Sequence, residues 1–341
     1  MKAVMYTRYG ELEFQEQVAD PRPAPGEALV RVSHVGICGS ELEGFVKRSP
    51  RRPPPLIMGH EFSGTVVEVN GGGEGGGVEP GATVAANPLI VCGHCEFCLR
   101  GLTSICPNRQ LLSMHRPGAF AELVSVPLRN LYPVPAATLK LAAFVEPCAN
   151  AVHVLRLAGI PTPHYVAVMG AGTIGSLCAQ VARWVGAPEL MLIDVSAFRL
   201  QLAEPQGVCD RAVNARDQDV LAAGRDFTHG RGFDLVIDAV GRDLTRRQSV
   251  ELLAPGGTAV WIGTYHDDTA VGGMGIVSNE RCLKGSYGFS DADFQKAVGL
   301  MTRGKIEVDS WTREFPLSEG VEVFYGLLKG ETGYIKALLR P

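Results

Sequence analysis

A chain of 341 residues, 46% apolar and 20% charged, is long enough for two cores and has an ordinary globular composition. Its formal net charge of -4 offers no electrostatic footprint for nucleic acid, and no apolar run reaches membrane-spanning length. The N-terminal MKAVMYTRYGELEF lacks a signal peptide's apolar stretch, and nine cysteines are an odd set for disulfide pairing, so the expected class is a cytoplasmic enzyme with free or metal-bound thiols.

Residues 1–149 read as β-rich. EALVRVSHVGIC and EFSGTVVEV alternate or run apolar with β-branched residues, and turn signals such as APGE and EPGA separate the segments. NGGGEGGGVEP is low in complexity; without a following Gly-Lys-Ser/Thr or a helix it reads as a turn between strands, not a phosphate cradle. From about residue 164 the period changes. HYVAVMG is a short buried strand, SLCAQVARWVG a helix and ELMLID a strand again, with FDLVIDAVG and GGTAVWIG as two further apolar strands. Strands alternating with helices imply a doubly wound parallel sheet. Near the C-terminus DADFQKAVGLMTRGKI predicts a helix and GYIKALLR a short strand.

MGAGTIGSL sets Gly170, Gly172 and Gly175 in a G-x-G-x-x-G directly between a strand and a helix. Gly170 permits the tight turn, Gly172 lets a pyrophosphate approach the backbone, and Gly175 allows close packing of helix on strand. The free amides at the helix start, Thr173 and Ile174, then face the phosphates. The next strand ends at Asp194, where a carboxylate can accept from both adenosine ribose hydroxyls and would repel a 2′-phosphate. NAD is therefore expected over NADP. Arg199 tempers that expectation, because a nearby arginine can help accept a 2′-phosphate or stack on adenine.

Cys92, Cys95, Cys98 and Cys106 follow C-x2-C-x2-C-x7-C. Four thiolates satisfy tetrahedral zinc and leave no position open for a substrate, so such a site holds a lobe together. Bacterial ferredoxins share the first spacing and a final Cys-Pro, but their last gap is three residues. His94, inside the loop, is expected to be a spectator. Chemistry would need a second, open site, and GICGSELEGF, MGHEFSG and FVEPCANAVH offer Cys38, His60 with Glu61, and Glu146. Together these form a Cys/His/carboxylate set suited to catalytic zinc.

With Cys-Gly-Ser, Gly-His-Glu, the four-cysteine lobe, Glu-Pro and G-x-G-x-x-G in that order over essentially its whole length, the chain resembles the zinc-dependent medium-chain alcohol and polyol dehydrogenases, the group that includes sorbitol and threonine dehydrogenases. The resemblance implies an α/β fold: a GroES-like β-rich catalytic domain over 1–149, a Rossmann domain over 150–285, and a return to the catalytic domain over 286–341. It implies two zinc ions per chain and NAD as cofactors. Cys38, His60, Glu61 and Glu146 would serve the catalytic zinc, with either glutamate binding directly or from just behind, and the four-cysteine cluster the structural one. A glutamate at 146, where alcohol dehydrogenases use cysteine, puts the chain on the polyol and threonine side.

The activity implied is hydride exchange between NAD and a secondary alcohol, giving a ketone, with Lewis-acid help to ionise the hydroxyl. Ser40 is placed to take the hydroxyl proton. The family usually reads Cys-Gly-Ser/Thr-Asp-x-His, whereas here Glu41 and Glu43 follow Ser40. Glu41 could orient a zinc ligand with one extra methylene, and Glu43 could replace the relay histidine as a base or simply be exposed. Cys148 reads as a small buried residue or a pocket-lining one. Lys47, Arg48, Arg51 and Arg52 read as a solvated loop, or as a basic rim for a phosphorylated or acidic substrate. The expected partners are a small alcohol or ketone and a second copy or three further copies of the chain, with neither nucleic acid nor membrane. Two other readings stand beside this one: a quinone or enoyl reductase of the same fold, and a non-catalytic NAD-binding sensor or structural relative.

Overall fold

Two units divide the chain, Met1–Glu146 with Ser290–Pro341, and Pro147–Phe289. The joints placed from sequence lie after 149 and 285. The computed structural model describes residues 1–71, 78–203, 207–330 and 332–341, so the glycine-rich turn read in NGGGEGGGVEP lies largely outside the described residues.

The first unit is built on a mostly antiparallel sheet. Among the described residues its strands run in the order Leu131–Pro133, Thr83–Ala86, Glu61–Asn70, Glu27–Gly36, Lys336–Arg340 and Thr312–Pro316, with Leu123–Pro127 also paired to Glu27–Gly36. Val30, Val35, Phe62, Val66 and Val84 from neighbouring strands meet in one core, which is what the β-branched runs in EALVRVSHVG and EFSGTVVEV dictate. Register places Gly36 opposite Glu61 on one side and opposite Leu338 on the other. The ends of three strands, at Gly36, Glu61 and Lys336, therefore share one edge of the sheet.

The second unit is a parallel sheet with strand order Arg211–Asn214, Glu189–Asp194, Tyr165–Met169, Phe233–Asp238, Leu253–Trp261 and Cys282–Gly285. In chain order this is 3-2-1-4-5-6, the doubly wound arrangement of dinucleotide-binding sheets. The inner strands are buried almost throughout, which explains why YVAVM and ELMLID read as unbroken apolar runs and not as alternation. Strand order reverses between Tyr165–Met169 and Phe233–Asp238, and ligands of such sheets bind beyond the carboxyl ends at that point. No single helix among the described residues is long and apolar enough to cross a membrane.

Candidate functional site

Strand Glu27–Gly36 leads through Ile37 to Cys38, which occupies the N-cap position of helix Gly39–Val46. Strand Leu56–Ile57 leads through Met58 and Gly59 to His60, and Glu61 opens the next strand. Gly59 sits at φ +94, and a Cβ there would come within 2.6 Å of the Phe120 ring, so only glycine lets the chain turn His60 inward. Donor atoms of Cys38, His60 and Glu61 all lie within 4.8 Å of one another. Glu146, buried in the first turn of helix Val145–Ala158, lies outside that set.

Glu41 organises this cluster from behind. Its Oε1 accepts the Gly59 N–H at 2.7 Å and the Ser113 hydroxyl at 2.7 Å, and stands 2.9 Å from His60 Nδ1, while Oε2 accepts the Cys38 N–H at 3.2 Å. Burial alone would raise its pKa, but the charge and hydrogen bond of His60, with Arg52 and Ser113, lower it to about 2. Burial likewise works against a charged His60, and Glu41 and Cys38 outweigh it, holding the imidazole well above its ordinary pKa. A histidine engaged at Nδ1 by a carboxylate offers Nε2 as its ligand nitrogen. Ser113, fully buried, holds its hydroxyl on Glu41 from a backbone at φ +72, a conformation a non-glycine residue seldom adopts outside functional sites.

Lys336 closes the other flank. Buried beside Glu61, its ammonium pairs with Glu61 Oε2 and donates to the Ile37 carbonyl at 2.9 Å. Burial favours the neutral amine, yet the charges of Glu61 and Cys38 hold its pKa above the ordinary lysine value. A thiol, an imidazole oriented by a carboxylate and a second carboxylate make a donor set of the kind zinc takes while keeping a position open.

The second cluster is closed. The sulfurs of Cys92, Cys95, Cys98 and Cys106 also lie within 4.8 Å of one another. Four sulfurs around a tetrahedral zinc at ~2.3 Å stand roughly 3.8 Å apart. Here Cys92–Cys98 is 3.9 Å, Cys95–Cys98 3.5 Å, Cys95–Cys106 3.8 Å and Cys106–Cys92 3.6 Å, so the residues fit the ion. Backbone N–H groups of His94 and Cys95 lower the Cys92 thiol to about 6, whereas burial and the hydrogen bond with Cys95 push Cys98 up to about 12. The His94 side chain is exposed, its Nδ1 2.9 Å from the Cys92 carbonyl oxygen.

Other residues singled out from the sequence fall differently. Ser40 is exposed and donates its hydroxyl to Cys38 Sγ at 3.3 Å. Glu43 points along its helix to Lys47, one turn on, at 2.6 Å. Cys148 is fully buried, and burial pushes its thiol up to about 12. Arg52 corrects the reading of a solvated or rim-forming loop: it is buried and spends its donors on Ser40 and on the Ser113 carbonyl.

In the second unit the glycine loop follows strand Tyr165–Met169, and Gly172 caps helix Thr173–Trp184 without a side-chain cap. Gly170 takes φ +97, and a Cβ on Gly175 would fall 1.6 Å from the Gly170 carbonyl oxygen. A Cβ on Gly172 meets nothing within 4 Å, which leaves the open cradle that a pyrophosphate needs at a helix N-terminus flanked by Thr173 and Ile174. Asp194 accepts the Ala171 N–H at 2.6 Å and the Ser196 N–H at 2.8 Å, which points its carboxylate at the loop, with Arg199 at 3.8 Å.

Comparison with known proteins decides the family. Residues 24–136 match the model of the alcohol dehydrogenase GroES-like domain, and residues 173–303 that of the zinc-binding dehydrogenases. L-threonine 3-dehydrogenase of Pyrococcus horikoshii is 35% identical over 78% of this chain and 76% of its own. The chain belongs to the zinc-dependent medium-chain dehydrogenases. Sorbitol dehydrogenase of Halalkalibacterium halodurans is 29% identical over 100% of this chain and 99% of its own. A zinc-binding dehydrogenase of Sinorhizobium meliloti, solved bound to NADP, superposes with a TM-score of 0.92 at 32% identity, covering 100% of this chain and 99% of that one. The GroES-like plus Rossmann architecture and the dehydrogenase class read from the motifs are thereby borne out.

Sequence reasoning missed two residues of this dehydrogenase's first unit, Ser113 and Lys336, and named Arg52 only as part of a basic loop. Arg52 was hidden among neighbouring basic residues, and Ser113 in a segment without motif. Lys336 carried a weak signal, as a charge set directly before the apolar run Ala337–Leu339 at the start of strand Lys336–Arg340.

Proposed function

We propose that this dehydrogenase oxidises a secondary hydroxyl of a polyol, sugar, cyclitol or amino alcohol to a ketone with NAD, or runs in reverse, in the cytoplasm as a homodimer or homotetramer. Cys38, His60 and Glu61 would hold the catalytic zinc, with Glu146 the further carboxylate, and Cys92, Cys95, Cys98 and Cys106 the structural zinc. The observation that carries the reading is that one buried carboxylate, that of Glu41, reaches both the Cys38 amide and His60 Nδ1. Such an anchor holds ligands in place before anything binds.

When bound, zinc supplies a Lewis acid for charge developing on the substrate oxygen, and oxidised nicotinamide supplies the hydride acceptor. Ser40 accepts the substrate's hydroxyl proton on Oγ while its own proton passes to the solvent it is exposed to, as the carbinol C–H bond breaks and the hydride leaves for the nicotinamide. Glu41 keeps His60 in one tautomer and one ring orientation. Lys336 pairs with Glu61 and so puts a cation against a carboxylate cut off from water. Gly172 and the helix start at Thr173 receive the pyrophosphate, and Asp194 receives the adenosine ribose. Glu43, already paired with Lys47, has a weaker claim to the proton than Ser40.

The test is reduction of NAD and NADP with a panel of polyols, cyclitols, threonine and phosphorylated polyols. Turnover of at least one member with NAD preferred supports the reading. Tight NADH binding with no alcohol oxidised would favour the non-catalytic sensor, and zinc-independent reduction of quinones the reductase.

A further inference from the structure

Arg52 has three hydrogen-bonding nitrogens, and all of them are spent near the metal-ligand cluster. Nη1 donates to the Ser40 carbonyl at 2.5 Å, Nη2 to Ser40 Oγ at 3.3 Å, and Nε to the Ser113 carbonyl at 3.1 Å. The guanidinium lies under helix Gly39–Val46, where a Cβ on the buried Gly44 would come within 3.0 Å of Nη1. Arg52 is 4% exposed, whereas Ser40 is exposed, so the arginine reaches the hydroxyl from the protein side and leaves its other face open.

A guanidinium can donate hydrogen bonds but accept none. Ser40 Oγ must therefore present a lone pair to Arg52, and its O–H must turn away, as it does toward Cys38 Sγ. We infer that Arg52 is a positioning residue: it fixes the rotamer and polarity of Ser40 so that Oγ keeps a lone pair open to accept the substrate's O–H, the proton taken up being matched by loss of Ser40's own proton to solvent on its exposed side. The inference rests on the proposed role of Ser40 in taking the substrate's proton. It also accounts for a buried cation in a loop that otherwise reads as surface, since lysine could not span a carbonyl, a hydroxyl and a second carbonyl with one rigid fork.

The experiment is a double-mutant cycle on the zinc-loaded enzyme with Ser40→Ala, Arg52→Met and the pair, with Arg52→Lys and Gly44→Ala as further variants. Ser40→Ala should lower kcat by about 100-fold or more. Arg52→Met should lower it by on the order of 10–100-fold with the KM for NAD unchanged, Arg52→Lys should recover part of the loss, and Gly44→Ala should show a smaller loss in the same direction. In the Ser40→Ala background Arg52→Met should have no further effect on kcat.

A second readout does not use turnover. With cobalt in the Cys38 site, the thiolate-to-cobalt band is read as the difference from Cys38→Ala. Loss of the Ser40 hydrogen bond to Cys38 should move it to longer wavelength equally in Ser40→Ala, Arg52→Met and the double variant. If the two losses in kcat multiply, or the band moves in Ser40→Ala but not in Arg52→Met, the positioning role is wrong while the Ser40 reading stands. If Ser40→Ala leaves kcat unchanged, both fall. Should Arg52→Met fail to fold, the same cycle with Arg52→Lys decides, because its partial loss must likewise vanish when Ser40 is alanine.

Discussion

Replacing Lys336 by methionine keeps a long unbranched side chain but removes the ammonium, with its charge and its hydrogen bond to the Ile37 carbonyl. Lys336 and Glu61 are 2% and 1% exposed, so the substitution strands a carboxylate with no route to water. At ~3 Å and an effective dielectric of ~20, the Coulomb attraction between two such charges is about 5 kcal/mol. Breaking a buried pair from one side typically costs about 3–5 kcal/mol, a large part of the roughly 5–15 kcal/mol that holds a domain folded. The expected result is a fall in Tm of at least about 6 °C for the metal-free protein, measured by calorimetry. Zinc should narrow the gap, because the freed Glu61 then has another cation to face. In the double variant Lys336→Met with Glu61→Gln, the charge imbalance disappears, and about 1–3 kcal/mol of the loss should return as non-additivity. A Lys336→Met protein within about 0.5 kcal/mol of wild type, or two single losses that simply add, would refute the reasoning that this pair balances the cluster.

Cys98→Ser should remove one zinc per chain and open residues 92–106 to proteolysis while the Cys38 cluster keeps its metal, as read by elemental analysis with limited digestion. Asp194→Asn keeps the residue's shape but removes the charge, and should cut the preference for NAD over NADP in kcat/KM by about ten- to a hundredfold. Asp234 accepts the N–H groups of His164 and Tyr165 and pairs with Arg231. Burial raises its pKa, but these partners bring it below the usual 3.8. Its contribution is therefore complete above pH 3.8 and disappears as pH falls through the lowered folded-state value. Asp234→Asn should accordingly be less stable than wild type by about 1–2 kcal/mol at neutral pH, with the gap closing on acidification below that point in urea titrations.

Much of the second unit was legible because fully buried parallel strands leave unbroken apolar runs, and YVAVM, ELMLID and FDLVID are such runs. The edge strands Arg211–Asn214 and Cys282–Gly285 left no such mark, since RAVN and CLKG are short and only partly buried. At the site, ligand types with fixed local spacing announced themselves: four cysteines in one loop, and Cys-Gly-Ser and Gly-His-Glu. Residues that act on these ligands through tertiary contact did not. Ser113 reaches Glu41 across 72 positions and Lys336 reaches Glu61 across 275, so no window of sequence holds both partners. Arg52 is only 12 positions from Ser40, yet flanking Arg51 and the prolines disguised a buried fork as a surface loop.

The division of labour between an open cluster at Cys38, His60 and Glu61 and a closed one at the four cysteines is tested most directly by zinc content per chain, measured on wild type and Cys38→Ala beside NAD reduction by the alcohol panel. The expected result is about two zinc ions in wild type and about one in Cys38→Ala, with turnover lost together with the missing ion. A Cys38→Ala protein that keeps the zinc content of wild type, or that loses one ion and still oxidises the alcohol, would contradict it.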